Sequence, residues 1–433
     1  MNTRARWVAG FIVVAAGCRS YEPKPLDPQE ILKDVLSQRW TAAPAGELSY
    51  ADARALLRTH NPRVREAHAA YKTETAVAAV KTPLPNPSFG IGPTWVDSGS
   101  GVDAELGWSI LLGGKRKITD ELNAIRAERA LAETVAVERE EVLALRREFL
   151  RLAAATHLRI ARQDLVASAA EAHGLVVRLV EAAQATALDV KEAELEHLEA
   201  QADLIEAEEA EGEARSRLAA RAGSLAESFV VTDLPARPSA VPGADELHEL
   251  LMRDNPDLAR LRARYLVAEK ELHKEIAGQY PNLDIGAIFE REDGGTKWGL
   301  GIAITLPVFD RNQPAIARAD AHRDEFRTRF EAQVARGVAG IDLARRRLAA
   351  RQRRYTLVRE KIRPAAQETL ALMRKTMDAG AAGVLRLLAV HRQQRRRHVE
   401  MVEAEFAVFE AWADLESACG APLLRFPEEG EEK

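Results

Sequence analysis

Two stretches of the chain alternate apolar and polar positions with the two-residue period of a β-strand, and each does so twice. In the first, Phe89, Ile91 and Trp95 share one face of a strand, and Val102, Ala104, Leu106, Trp108 and Ile110 share one face of the next. Asp103, Glu105, Gly107 and Ser109 take the opposite face. In the second, Leu283, Ile285, Ala287 and Phe289 alternate with Asp284, Gly286 and Glu290, and Trp298, Leu300, Ile302, Ile304 and Leu306 with Gly299, Gly301, Ala303 and Thr305. The pattern predicts strands at 87–96, 102–111, 282–290 and 298–306, joined by the polar turns Asp97–Gly101 and Glu292–Gly295. A half-buried soluble hairpin uses such alternation. So does a transmembrane β-barrel, whose strands need about 9–11 residues and carry aromatics at their ends. Four strands cannot close a barrel around a pore, and lipid does not tolerate an open sheet edge, so a barrel made from them must be shared among copies of the chain.

Each strand pair lies inside a duplicated half. Asn61-Pro62 precedes Pro85-Asn86-Pro87, and Asn255-Pro256 precedes Pro281-Asn282 at nearly the same distance. A period this long marks a doubled half-domain, not a short solenoid repeat. Long proline-poor helical stretches follow the strands, from Lys115 to about Ala222 and from Gln313 to about Cys419. One helix from Arg116 to Ala182 would extend roughly 100 Å, too far for a globular core, so neighbouring helices must support it. Val142, Leu145, Phe149 and Leu152 have coiled-coil spacing, and Phe326, Phe330, Val334, Val338 and Ile341 form a similar stripe. Breaks at Ala185–Asp189 and Asp378–Gly383 predict turns from a descending helix to a returning one. A helix is expected from Ser49, as N-cap, to about Lys81, with a break at Pro62. The expected organisation is a signal peptide over 1–17, an extended proline-rich segment over 18–47, repeat 1 over 48–223, a linker over 224–243, repeat 2 over 244–419 and a tail over 420–433.

Composition narrows the function. Aromatics make up only 5% of the 433 residues, as in long helices, and the net charge of −5 gives no reason to expect nucleic acid. Arg4 and Arg6, the apolar run Trp7–Val14 and Ala15-Ala16-Gly17-Cys18 read as an export signal. Cys18 after Ala-Ala-Gly resembles a bacterial lipobox, with lipidation at Cys18; an ordinary cleaved signal is the alternative. No catalytic constellation, cofactor motif or metal site is recognised. His391 and His398 share a helix face, but nothing completes a metal site around them. Glu192 to Glu213 make one returning helix acidic, while Arg345–Arg347, Arg351, Arg353, Arg354 and Arg395–Arg397 make repeat 2 basic. These faces are either solvated surface or helices that pack as neighbours and fix which helix meets which.

Taken together, several motifs resemble the TolC-like outer membrane efflux proteins over nearly the whole mature chain. They are Asn61-Pro62, Asn255-Pro256, Tyr280-Pro281-Asn282-Leu283 and the tip pattern from Gly380 through Gly383-Val384-Leu385 to Leu387-Leu388. Leu112-Gly113-Gly114-Lys115-Arg116 and Leu306-Pro307-Val308-Phe309-Asp310-Arg311-Asn312-Gln313 resemble the heavy-metal branch, the CzcC-like proteins.

The resemblance implies a mainly α fold with a β-barrel portion, built from two tandem repeats of helix, β-hairpin, long helix and helix. It implies a homotrimer with a twelve-stranded barrel in the outer membrane on a periplasmic α-helical barrel. A periplasmic membrane-fusion adaptor and an inner-membrane pump of the resistance-nodulation-division type would be its partners. Gly113, Gly114 and Pro307 would sit where strand becomes helix. Asp189, Asp378, Gly380, Gly383 and Arg386 would lie at the periplasmic aperture. The tip departs from the family, with Met377 where many members carry an aromatic residue and Arg386 and Ala389 where acidic residues often ring the pore. The expected function is a passive outer-membrane duct, conducting heavy-metal cations. The alternatives are a duct for drugs and a lipid-anchored periplasmic coiled-coil scaffold.

Overall fold

A computed structural model describes residues 21–41, 46–96, 99–223, 229–231, 234–238, 240–292, 295–378 and 384–427. The export signal and Cys18 lie outside these residues. An N-terminal unit, residues 1–43, contains one described helix, α1 (Pro28–Thr41). This corrects the extended segment expected over 18–47. Asp27 caps the helix, its Oδ1 accepting from the amides of Gln29 and Glu30 at 2.9 and 3.2 Å. Pro28 in the first turn starts the helix, because proline lacks only an N–H that would be unsatisfied there anyway.

The second unit, residues 44–433, runs twice through one order of elements. The first pass comprises β1 (Gly46–Leu48), α2 (Tyr50–His60), α3 (Pro62–Ala78), β2 (Ser88–Val96), β3 (Gly99–Ile110), α4 (Lys115–Glu181) and α5 (Ala187–Ala222). The second comprises β4 (Phe229–Val231), α6 (Ala244–Asp254), α7 (Pro256–Ala277), β5 (Leu283–Glu292), β6 (Gly295–Ile304), α8 (Gln313–Leu357), a π turn at Val358–Ile362, α9 (Arg363–Asp378) and α10 (Val384–Cys419). Strand β4 lies in the expected linker and pairs in parallel with β1.

The Asn-Pro pairs have a structural cause. Asn61 Oδ1 accepts from Val64 N at 3.1 Å, and Asn255 Oδ1 accepts from Asp257 N and Leu258 N at 3.0 and 3.1 Å. Each Asn caps a helix whose first residue is proline, so the junction ends one helix and starts the next. Both junctions are buried and both receive a returning helix. Gly223, after α5, has φ +76° and lies so close that a Cβ would meet the His60 carbonyl carbon at 2.5 Å. Gly420, after α10, has φ +81°, and its Cβ would meet Asn255 Cα at 2.5 Å. Only glycine combines that backbone angle with that approach.

The core gathers where the two repeats meet. Tyr50, Leu57, Leu145, Phe149, Leu218 and Phe229 form one cluster, which takes Phe426 from beyond α10; thus the expected C-terminal tail is partly core. Leu247, Leu251, Ile341, Leu348, Phe409 and Trp412 form the other. Between them Arg146 and Glu416 are completely enclosed, 0% and 1% exposed, with Nη2 to Oε1 at 2.9 Å and Nε to Oε2 at 3.2 Å. Glu416 Oε1 also accepts from Leu423 N and Leu424 N at 2.7 and 2.8 Å, and Arg146 donates to the Leu424 carbonyl. The guanidinium lies 5.4 and 4.9 Å from the Tyr50 and Phe426 ring centres.

Candidate functional site

The four long strands form one antiparallel sheet in the order β2-β3-β5-β6. Its register carries the sequence alternation across all four strands. Phe89 pairs with Leu106, Trp108 with Ile285, Ile285 with Ile302 and Phe289 with Trp298. One face is therefore continuously apolar, and it is uncovered: Leu300 is 91% exposed and Trp298 80%. A monomer in water rarely exposes apolar patches beyond a few hundred Å². Trp95 and Trp298 stand toward the hairpin ends, and Trp108 and Phe309 toward the helical end, giving the apolar band aromatics at both margins. The strands span about 30 Å at roughly 3.3 Å per residue, the thickness of a bilayer's hydrocarbon. Strands β2 and β6 each have one unpaired edge within the described sheet.

Below the sheet the sequence motifs meet one another. Gly113 and Gly114, at φ 68° and 70°, turn β3 into α4, and a Cβ on Gly113 would lie 2.8 Å from the Tyr280 ring. Lys115 Nζ donates to Asn282 Oδ1 at 2.8 Å, and Trp108 Nε1 to the Pro85 carbonyl at 2.9 Å. The Gly-Gly-Lys motif of one repeat is thus seated on the Tyr-Pro-Asn motif of the other. On the other side Pro307 opens a loop that holds itself. Arg311 Nε donates to the Pro307 carbonyl at 3.1 Å, and Asp310 Oδ1 and Gln313 Oε1 accept from Asn312 N and Arg311 N, both at 2.8 Å. Asn312, at φ 62°, anchors the loop by donating to the Glu275 carbonyl at 2.9 Å.

At the opposite end Asp189 belongs to a capping box. Its Oδ2 accepts from Thr186 N and Oγ1 at 2.7 and 2.6 Å, and Thr186 Oγ1 accepts from Asp189 N. The Thr186 hydroxyl, then its amide, hold the Asp189 carboxyl below the ordinary carboxylate range. Asp378 ends α9, and Arg386 is exposed in the first turn of α10; Gly380 and Gly383 lie outside the described residues. Above the tip Glu196 meets Arg392 Nε at 2.5 Å. Burial nevertheless raises the Glu196 carboxyl above its usual range, outweighing the nearby Arg392 and Arg396 charges. The acidic helix α5 finds its other cross-helix partners on α4, through Arg159–Glu211 and Arg162–Asp203, not among Arg345–Arg347 of α8. Among the described residues no group of three His, Cys, Asp or Glu side chains could hold a metal ion. No described helix is long and apolar enough to cross a membrane, which leaves the sheet as the apolar surface of interest.

The glycine latches at Gly223 and Gly420 are site features that periodicity does not register. Their signal is a glycine directly after the last helical turn.

The family of outer membrane efflux proteins matches residues 247–421. The cobalt-zinc-cadmium resistance protein CzcC of Cupriavidus metallidurans is 31% identical over 239 residues, 52% of this chain and 55% of that protein. The chain thus matches about half the length of this curated relative. Among solved structures, the outer-membrane channel OprN has a TM-score of 0.71 at 18% identity, over 86% of this chain and 90% of that one. CusC, whose structures concern transmembrane channel formation, has a TM-score of 0.70 at 13% identity, over 94% and 100%. VceC of Vibrio cholerae has 0.68 at 17%, over 86% and 96%. The sequence of the second repeat is thus similar to the outer membrane efflux proteins, and the chain shares its fold with these channels over most of its length.

Proposed function

We propose that this chain is the outer-membrane duct of a tripartite efflux system and passively conducts heavy-metal cations out of the periplasm. The uncovered apolar face of the four-stranded sheet carries this reading, because it has no partner within the chain's described residues and matches a bilayer in height. Three copies would contribute twelve strands and join the free edges of β2 and β6. The helices would form the periplasmic tunnel, with the turn after α4 and the one after α9 at its aperture. The opposite face of the sheet would line the lumen. It carries Asp103, Glu105, Asp284 and Glu290, with Lys297 beside Glu290, a balance that favours cations. The name of the CzcC relative supports metals as cargo. A periplasmic adaptor and an inner-membrane pump would supply coupling and energy, and lipidation of Cys18 would add an anchor.

Deletion of the gene, followed by growth on zinc, cobalt, cadmium, copper and a drug panel, tests the cargo. Sensitivity to one or more metals is expected, whereas sensitivity to drugs alone overturns the metal assignment. A Cys18→Ser protein that is soluble and monomeric without detergent overturns the duct and returns the chain to the scaffold reading.

A further inference from the structure

The two repeats differ at one point of their long helices. Helix α4 runs 67 residues without a break, whereas its counterpart in repeat 2 is interrupted after 45 residues by the π turn Val358–Ile362. The interruption has a local cause. Pro364 has no N–H for the Glu360 carbonyl four residues back, and in an α-helix its ring would press on that oxygen. The chain widens instead, and the Arg363 N–H reaches back five residues to the Val358 carbonyl. Prolines and π turns are the places where long helices bend, and π turns recur at functional sites.

The packing changes at the same point. Before the turn, Ile341, Ala344 and Leu348 of α8 are buried, and the helix packs on α6, α7 and α10. After it, α9 packs on α10, and among its described side chains only Leu370 and Met373 are buried.

Arg237, in the linker between the repeats, fastens the helix just before the turn. Ala236 and Arg425 form an antiparallel bridge, with N to O distances of 2.8 and 3.4 Å, which holds the linker to the chain beyond α10. From there the Arg237 guanidinium lies 4.8 Å from the ring centre of Tyr355 on α8 and 4.4 Å from that of Phe409 on α10. It also ion-pairs with Glu405 of α10, to which the Tyr355 hydroxyl donates at 3.4 Å. One cation thus serves an aromatic ring on each helix and a carboxylate between them. Arg359, inside the π turn, lies 5.4 Å from the centre of the same Tyr355 ring.

We propose that the π turn is a joint at which α9 bends relative to α8 when the aperture opens, and that Arg237 is the positioning residue that restrains it. The backbone bond that such a bend would break, from residue 364 to Glu360, is already absent. Arg237 holds α8 to α10 one turn before the joint, so the bend stays below the core. The inference rests on the duct reading and names the residues that set how readily the duct opens.

Purified full-length protein tests it, in planar lipid bilayers for conductance and in detergent for hydrogen exchange read by mass spectrometry. Arg237→Gln is expected to raise the open fraction of single channels several-fold and to speed exchange in peptides covering 358–378, while peptides of α4 exchange as in the wild type. Tyr355→Leu keeps the Arg237–Glu405 pair but removes the ring on α8; it should act in the same direction, and it carries the test if Arg237→Gln does not fold. Pro364→Ala restores the missing N–H and should do the reverse, lowering the open fraction and slowing exchange. Opposite signs separate a joint from general loosening, which would move all the variants alike. Open fractions that stay at the wild-type value, or that shift in one direction in every variant, overturn the joint and leave the duct standing. Protein that forms no channel in any variant, the wild type included, overturns the duct reading and this inference with it.

Discussion

Replacing Arg146 by methionine is expected to cost about 3–5 kcal/mol, the usual penalty for leaving a buried charge without its partner. The methionine fills much of the volume, so the loss is mainly electrostatic. Glu416, 1% exposed, would keep its two amide donors from Leu423 and Leu424 but lose both guanidinium bonds. The Leu424 carbonyl would lose its charged donor, and the Tyr50 and Phe426 rings a cation worth about 0.5–2 kcal/mol. Adding Glu416→Leu removes the orphaned charge, yet it strands the Leu423 and Leu424 amides at about 1–3 kcal/mol each. The double variant should therefore recover only part of the loss. Urea unfolding of the detergent-solubilised protein, followed by far-UV circular dichroism and tryptophan fluorescence, measures both variants against the wild type. Arg146→Met unfolding within about 1 kcal/mol of the wild type would refute the reasoning, because the pair would then be dispensable to the junction between the repeats.

Three further outcomes follow from geometry already described. Gly223→Ala and Gly420→Ala should each destabilise the fold by more than about 1 kcal/mol, since each forces a Cβ into backbone at positive φ; unfolding midpoints check this, with Gly295→Ala as a control in open space. Asp120, which accepts from Thr82 N at 2.7 Å, has a carboxyl lowered first by the Thr82 hydroxyl and then by its amide. Its contribution is fully present above the ordinary carboxylate value and is lost as pH falls through the lowered one, so Asp120→Asn should flatten the acid limb of a stability–pH curve. Cys419 is buried and its thiol is pushed up to about 11, so neutral iodoacetamide should label its peptide only after denaturation, as mass spectrometry would show.

The sheet was legible because strand periodicity survives whatever packs around it: a two-residue repeat put Phe89, Leu106, Ala287 and Leu300 on one face, as the register does, whereas the ends of β3 and β6 extend farther into glycine-rich turns than alternation predicts. The long helices were legible from the absence of proline. Helix α1 was not, because a proline-rich segment reads as extended, whereas Pro28 directly after the capping Asp27 starts a helix. Strands β1 and β4 are three residues each, too short for any period to register. At the tip, Asp189 was singled out for its charge, but its carboxylate is engaged in capping its own helix. Which acidic helix meets which basic one is a matter of neighbours far apart in the chain, and sequence spacing carries no distance of that kind.

The two glycine latches also fix the mechanics of the molecule. Gly223 pins the upper end of α5 against the Asn61 junction, and the 36 residues of that helix reach about 54 Å away from it. A rotation of only about 5° at such a fulcrum would sweep the far end through roughly 5 Å, at a helical rise of about 1.5 Å per residue. Dilating the mouth would then require no unwinding of any helix, only a small change of tilt about a hinge already built without a side chain.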